Sequence, residues 1–194
     1  MSVSLGDGSD AEVVALALAG RQDAYRELLA RYREPVYRFI RASTGEAQEA
    51  LDLTQDTFIA AFAALDRYDR SRPLLTWLRR IALNKCRDWG RRRRLRAMLW
   101  RTAPIDTSHD VIDDAIAADV LVADRAELFR VNAAIAQLPA RLRETLILRT
   151  IEGLGQAETA EVLGISEKAV ETRLYRARSK LTDMLANEGP RTNL

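Results

Sequence analysis

Between Gly153 and Lys180 the chain reads GLGQAETAEVLGISEKAVETRLYRARSK, a run that folds most readily as two short helices meeting at a tight turn. Ala160 is small enough for the helices to cross closely, Gly164 supplies the left-handed backbone that ends the first, and Ile165 and Val170 point into the angle between them. Ser166 is placed to cap the second helix. Along that helix Val170, Leu174, Ala177 and Leu181 form an apolar stripe, while Arg173, Arg176 and Lys180 share another face. An arginine-rich face often does no more than keep a helical hairpin soluble. The joint occurrence of small residue, turn glycine, cap and apolar stripe favours the layout that reads duplex DNA.

The remainder of the chain is consistent with folded, helical protein. Of 194 residues 47% are hydrophobic, enough for one ordinary domain or two small ones. Helical spacing recurs throughout, with no strand alternation, so we expect an all-α protein with helices near 10–19, 23–43, 46–65, 74–96, 124–137, 140–151, 156–163 and 167–186. Pro35 should kink the second of these or divide it. The single cysteine, Cys86, excludes an internal disulfide and fits a reducing compartment. The N-terminus MSVSLGDGSD has no secretion signal and no apolar run approaches membrane-spanning length, so a cytoplasmic protein without membrane insertion is expected.

Charge is segregated rather than abundant. Lys plus Arg exceed Asp plus Glu by only 30 to 28, yet residues 66–96 hold twelve bases and three acids, and residues 104–127 hold seven acids and one Arg. The first stretch suits nucleic acid. The second, with Pro104 and weak periodicity, is read as a flexible acidic linker. His109 lies there without a second ligand at metal spacing, and the adjacent Asp113 and Asp114 do not converge as helix neighbours, so neither a metal site nor acid-base chemistry is expected.

In the basic stretch, Leu74, Trp77, Leu78 and Ile81 supply a buried side, leaving Arg79, Arg80, Asn84, Arg87 and Asp88 on the other. Positive side chains release counterions from phosphates, which gives affinity; aromatic walls such as Tyr68 and Trp77 can receive an unstacked base. A tryptophan at helical spacing from Leu78 and Ile81 is usually a core residue, and on the residues alone Trp77 is read as buried. Arg91 to Arg94, beside Trp89, Leu95, Met98, Leu99 and Trp100, would also make a membrane-surface stripe.

The blocks YREPVYRFI at 32–40, DLTQDTF at 52–58, LDRYD at 65–69, RPLLTWLRRIALN at 72–84, LPARLRETLILR at 138–149 and YRARSKL at 175–181 occur in one order. In that order they resemble a bacterial RNA polymerase sigma factor of the extracytoplasmic-function type, the smallest members of the sigma-70 family, from about Asp23 to Leu185. The resemblance implies two small helical domains, region 2 at 10–97 and region 4 at 127–187, joined by a linker at 98–126. It implies that Asp52, Gln55 and Asp56, a polar ridge at i, i+3 and i+4, dock on the β′ clamp helices of core RNA polymerase, with the β flap as a second contact. Tyr68, Trp77, Arg80, Asn84, Lys85, Arg87, Asp88, Arg91, Arg92, Arg93 and Arg94 then match the part that captures and melts −10 promoter DNA. Ser166, Glu167, Lys168, Glu171, Thr172, Arg173 and Arg176 fall where −35 DNA is read. An anti-sigma factor, often membrane-bound, would hold the protein inactive until envelope or environmental stress.

Four positions depart from the common family pattern: Glu171 stands for a basic residue, Ala169 for Thr, Thr159 for an apolar residue and Gly155 for a Ser cap. No nucleotide-hydrolysis motif is present, so neither cofactor nor enzyme chemistry is expected. The competing reading is a stand-alone helix-turn-helix regulator.

Overall fold

A computed structural model describes residue 6, residues 8–100 and residues 121–187. The acidic stretch carrying His109, Asp113 and Asp114 therefore lies outside the described residues. Every regular element among the described residues is helical: α1 Asp10–Leu18, α2 Gln22–Thr44, α3 Ala47–Ala63, a 3-10 turn Leu65–Arg67, α4 Leu74–Trp100, α5 Leu121–Gln137, α6 Ala140–Leu146, a π-helical turn Ile147–Ile151, α7 Gln156–Leu163 and α8 Glu167–Asn187. The chain divides into two compact units, the first ending at Arg92 within α4.

The first unit is built on α2. Helix α1 starts in a reciprocal capping box: the Glu12 N–H reaches Ser9 Oγ at 3.4 Å and the Ser9 N–H reaches Glu12 Oε2 at 2.7 Å. Arg31 on α2 then pins it, donating to Glu27 at 2.7 Å, to the Gly8 carbonyl at 2.8 Å and to Asp10 at 3.2 Å. The Tyr32 hydroxyl donates to the other Asp10 oxygen; burial, then that neighbouring carboxylate, push the phenol's pKa upward. Behind α2, Leu28 lines one small apolar gap together with Phe58, Ala61, Phe62, Leu65, Leu74, Trp77 and Leu78 of the following elements.

Pro35 does not divide α2, which runs unbroken from Gln22 to Thr44. An internal proline forfeits a hydrogen bond and costs about 3 kcal/mol. Val36, Phe39 and Ile40, directly after it, are all fully buried, and each contributes about 1.5–3 kcal/mol only if the helix continues at that angle. Burial outweighs the break. Helix α2 ends where expected for a left-handed cap, at Gly45 with φ +80°.

The second unit packs α8 across α6, with Ala177 fully buried against Leu138 and Leu146 and with Ile135, Leu142, Leu174, Leu181 and Met184 around them. The expected helix 140–151 holds its α form only to Leu146 and then widens into the π turn, with Glu152 N–H reaching Ile147 O at 3.0 Å. Residues 144–148 are buried without interruption, a demand no single face of an α-helix meets. Helices α4 and α5 also run further than the spacing indicated, to Trp100 and from Leu121, so the ends of the expected linker are helical.

Gly164 closes α7 at φ +66° and ψ 42°, with open space where a Cβ would stand. Its contribution is thus backbone conformation, not clearance. We expect Gly164→Val to lower the melting temperature of the second unit by about 5–10 °C, from about 1–2 kcal/mol of left-handed strain, and Gly164→Asn to lower it by much less. Thermal denaturation followed by circular dichroism checks this.

Candidate nucleic-acid interface

Three surfaces hold the residues singled out above. On α3, Leu53, Thr57, Phe58 and Ala61 are buried, which turns Asp52, Gln55 and Asp56 outward, all exposed. Thr54 and Thr57 sit on the buried side without cost because their hydroxyls donate to the Ala50 and Leu53 carbonyls at 2.6 and 2.7 Å. Among the described residues none of the three outward polar side chains has a hydrogen-bond or ion-pair partner, so the ridge is a row of free acceptors and one amide. Leu51 and Ile59 flank it at 43% and 60% exposure. Sequence reasoning missed this pair, although Leu51, Gln55 and Ile59 at i, i+4 and i+8 share the ridge's face.

At the start of α4, Trp77 forms a tilted aromatic pair with Tyr68, which follows the 3-10 turn, with centroids 5.3 Å apart. Tyr68 itself is only 7% exposed and its hydroxyl donates to the Arg72 carbonyl. It therefore supports the half-buried Trp77 from beneath and does not offer a free stacking face. The adjoining loop is shaped by Asp69, whose Oδ1 accepts from Ser71 Oγ at 2.7 Å and Ser71 N–H at 3.0 Å and whose Oδ2 accepts from Arg72 at 3.2 Å. These bonds, those from Ser71 foremost, hold the Asp69 carboxyl below the usual carboxylate range.

Trp77, Arg80, Asn84, the adjacent Arg87 and Asp88, and Arg91 follow at intervals of three or four residues and so lie along one side of α4, with Arg80, Asn84 and Arg91 exposed and the others half-buried. Lys85, rotated by about 100° from Asn84, is half-buried and leaves that line. Asp88 is engaged: Arg91 donates to its carboxylate and Arg92 Nε lies 3.5 Å from its carbonyl. Arg91 to Arg94 are all exposed.

On α8, Ser166 Oγ accepts from Ala169 N–H at 3.2 Å, the expected cap, and Gln156 Nε2 donates to the Glu167 carbonyl at 3.1 Å, tying the starts of α7 and α8 together. The departures from the family pattern are accommodated locally. Thr159 is fully buried but its hydroxyl donates to Gly155 O at 2.8 Å; the Gly155 N–H is taken up by Glu158 at 2.9 Å in place of a side-chain cap. Val170 and Ala177 face inward, leaving Glu167, Lys168, Glu171, Thr172, Tyr175 and Arg176 exposed, whereas Arg173 is half-buried at the edge of the packed side. Lys168 Nζ and Glu171 Oε2 pair at 2.7 Å.

Among the described residues no three His, Cys, Asp or Glu side chains gather as metal ligands, and no helix is long and apolar enough to cross a membrane.

Comparison with known proteins shows the family. Residues 28–96 match the profile described as Sigma-70 region 2, and residues 128–181 match Sigma-70, region 4. RNA polymerase sigma factor CnrH of Cupriavidus metallidurans is 38% identical over 182 residues, covering 92% of this chain and 95% of that protein. ECF RNA polymerase sigma factor SigD of Mycobacterium tuberculosis is 38% identical over 190 residues, covering 95% and 87%. The solved structure of CnrH in complex with the cytosolic domain of CnrY superimposes with a TM-score of 0.67 at 36% identity, covering 93% of this chain and 99% of the other. With its full-length relatives and its two regions in sigma order, the chain belongs to the extracytoplasmic-function RNA polymerase sigma factors of the sigma-70 family.

Proposed function

We propose that this chain joins core RNA polymerase and directs promoter-specific initiation, region 2 spanning 10–97 and region 4 spanning 127–187 with the segment 98–126 between them. One observation carries this over a stand-alone helix-turn-helix regulator: region 2 and region 4 matches lie in the same chain, at 28–96 and 128–181. A duplex-binding regulator has no use for the first.

The α3 ridge of Asp52, Gln55 and Asp56, with Leu51 and Ile59, is the surface that meets the β′ clamp helices, its unpaired acceptors facing basic and amide groups. Region 4 takes the β flap. Trp77, propped by Tyr68, walls a pocket for an extruded −10 base, Arg80 and Asn84 address the displaced strand, and Arg91 to Arg94 neutralise phosphates. Opening draws on binding alone, since capture of a flipped base has to offset an unstacking cost of a few kcal/mol. Helix α8 enters the major groove of the −35 element by its first two turns. The protein acts as an initiation factor in the cytoplasm, where the polymerase and the DNA are.

A second protein that covers these surfaces would keep the factor silent. The relative CnrH, solved in complex with the cytosolic domain of CnrY, supports a protein partner for this chain; inhibition by that partner, and its attachment to the membrane, belong to the proposal. A pull-down from unstressed cells that recovers polymerase alone removes that support. For the main reading, purified chain plus core enzyme is expected to give promoter-dependent transcripts from genomic templates; duplex binding without any such initiation would reject it.

A further inference from the structure

The recognition helix presents an ion pair where an uninterrupted basic face would serve phosphates better. Lys168 and Glu171, one turn apart on the outward side of α8, meet at 2.7 Å with side chains 81% and 58% exposed. Neither is needed by the fold: the capping is done by Ser166, the tie to α7 by Gln156, and the packing by Val170 and Ala177. The neighbouring Thr172 hydroxyl is turned back onto the Lys168 carbonyl at 2.9 Å, so these two charged tips are the ones left free to meet base edges in this turn.

A lysine destined for a phosphate gains nothing from a carboxylate beside it, because the acid repels the phosphate and cancels the local charge. Base edges are different, since they offer a donor next to an acceptor. A G·C pair displays guanine O6 and N7, both acceptors, beside the cytosine N4 amino donor. Lysine has donors only, ionised glutamate acceptors only, and their tips already stand about one hydrogen bond apart, as O6 and N4 do. An A·T pair also sets an acceptor, thymine O4, beside a donor, adenine N6, but it gives the ammonium one acceptor flanked by a methyl where guanine gives two adjacent ones, O6 and N7.

We infer that Lys168 and Glu171 act as one unit that reads a single G·C pair in the −35 element, the lysine on guanine and the glutamate on cytosine. This rests on the reading of α8 as the −35 helix. An exposed pair of this kind is weakly held and opens readily onto a partner.

The test uses polymerase holoenzyme carrying the full chain and a promoter library with the −35 segment randomised. Wild type is expected to prefer G·C at one position by about 10- to 100-fold. Glu171→Gln and Lys168→Met should each flatten that position and leave the others unchanged. The double exchange K168E with E171K keeps the pair and should move the preferred guanine to the opposite strand. An unaltered profile in these variants overturns the inference, as does a Lys168→Met that weakens all sites equally and lowers the salt slope by about 0.9, the mark of a phosphate contact. Arg176→Ala separates the two readings: if it weakens binding while the profile ignores Lys168 and Glu171, only the inference falls. If neither it nor any other α8 change affects −35 binding, the placement of α8 falls too.

Discussion

Reversing both acids of the α3 ridge, Asp52→Arg with Asp56→Arg, is expected to weaken binding to core RNA polymerase by at least about 100-fold while leaving the melting temperature within about 5 °C of wild type. The two halves of that expectation have separate causes. Both carboxylates are exposed, and among the described residues neither has a partner, so the fold does not depend on them; surface changes of this kind stay within about 0.5 kcal/mol. Against a partner surface that is complementary, like charge brought face to face costs several kcal/mol. Leu51 and Ile59 extend the test. Each is exposed enough to be covered on docking, so Ile59→Ala should reduce affinity by about 5-fold because less apolar area is buried, again without unfolding. Fluorescence anisotropy with labelled core enzyme, read beside a thermal melt, separates the two effects. Wild-type affinity in the double reversal would remove α3 from the docking surface.

That ridge also marks how far the amino-acid order alone can be read. Its polar members are legible because i, i+3, i+4 spacing assigns them to one side of a helix whose other side is apolar. Leu51 and Ile59 are not, because an apolar residue in a helix counts as core until the packing is known, and only the burial of Leu53 and Phe58 turns the other two outward. Tyr68 fails in the opposite sense. An aromatic beside a basic helix looks available to bases, yet the bond from its hydroxyl to the Arg72 carbonyl needs the loop geometry that Asp69 and Ser71 create.

The turn and helix chemistry of residues 153–181 is readable almost residue by residue, since Gly164, Ser166, Val170 and Ala177 act through local rules: a positive φ, an i+3 cap, a helical stripe. Continuity through Pro35 and the π turn at Ile147–Ile151 are not, because both are decided by non-local burial that outweighs local preference. The same holds for the Arg31 cluster, where α2 reaches back over more than twenty residues to fix the start of α1.

Replacing Arg91 to Arg94 together with Ala is expected to flatten the salt dependence of promoter binding. Each phosphate no longer neutralised takes about 0.9 from the slope of log affinity against log salt, so all four arginines account for about 3.6. Between 50 and 200 mM salt that difference compounds to about 150-fold, which makes the effect readable from affinities at two salt concentrations. The helix should survive, since all four side chains are exposed and alanine is a stronger helix former than arginine. The change does release Asp88 from Arg91, leaving a carboxylate close to the DNA path; a further Asp88→Asn therefore should recover part of the affinity but none of the slope. An unchanged slope would reassign the run to a solvated helix face. The apolar residues beside it define the remaining alternative: Leu95, Met98 and Leu99 are 60%, 75% and 66% exposed, the makings of a membrane-surface stripe. Binding to anionic lipid vesicles that disappears with Arg91 to Arg94, alongside an unchanged promoter slope, would decide for the lipid surface; a flattened slope with no vesicle binding decides for phosphates of DNA.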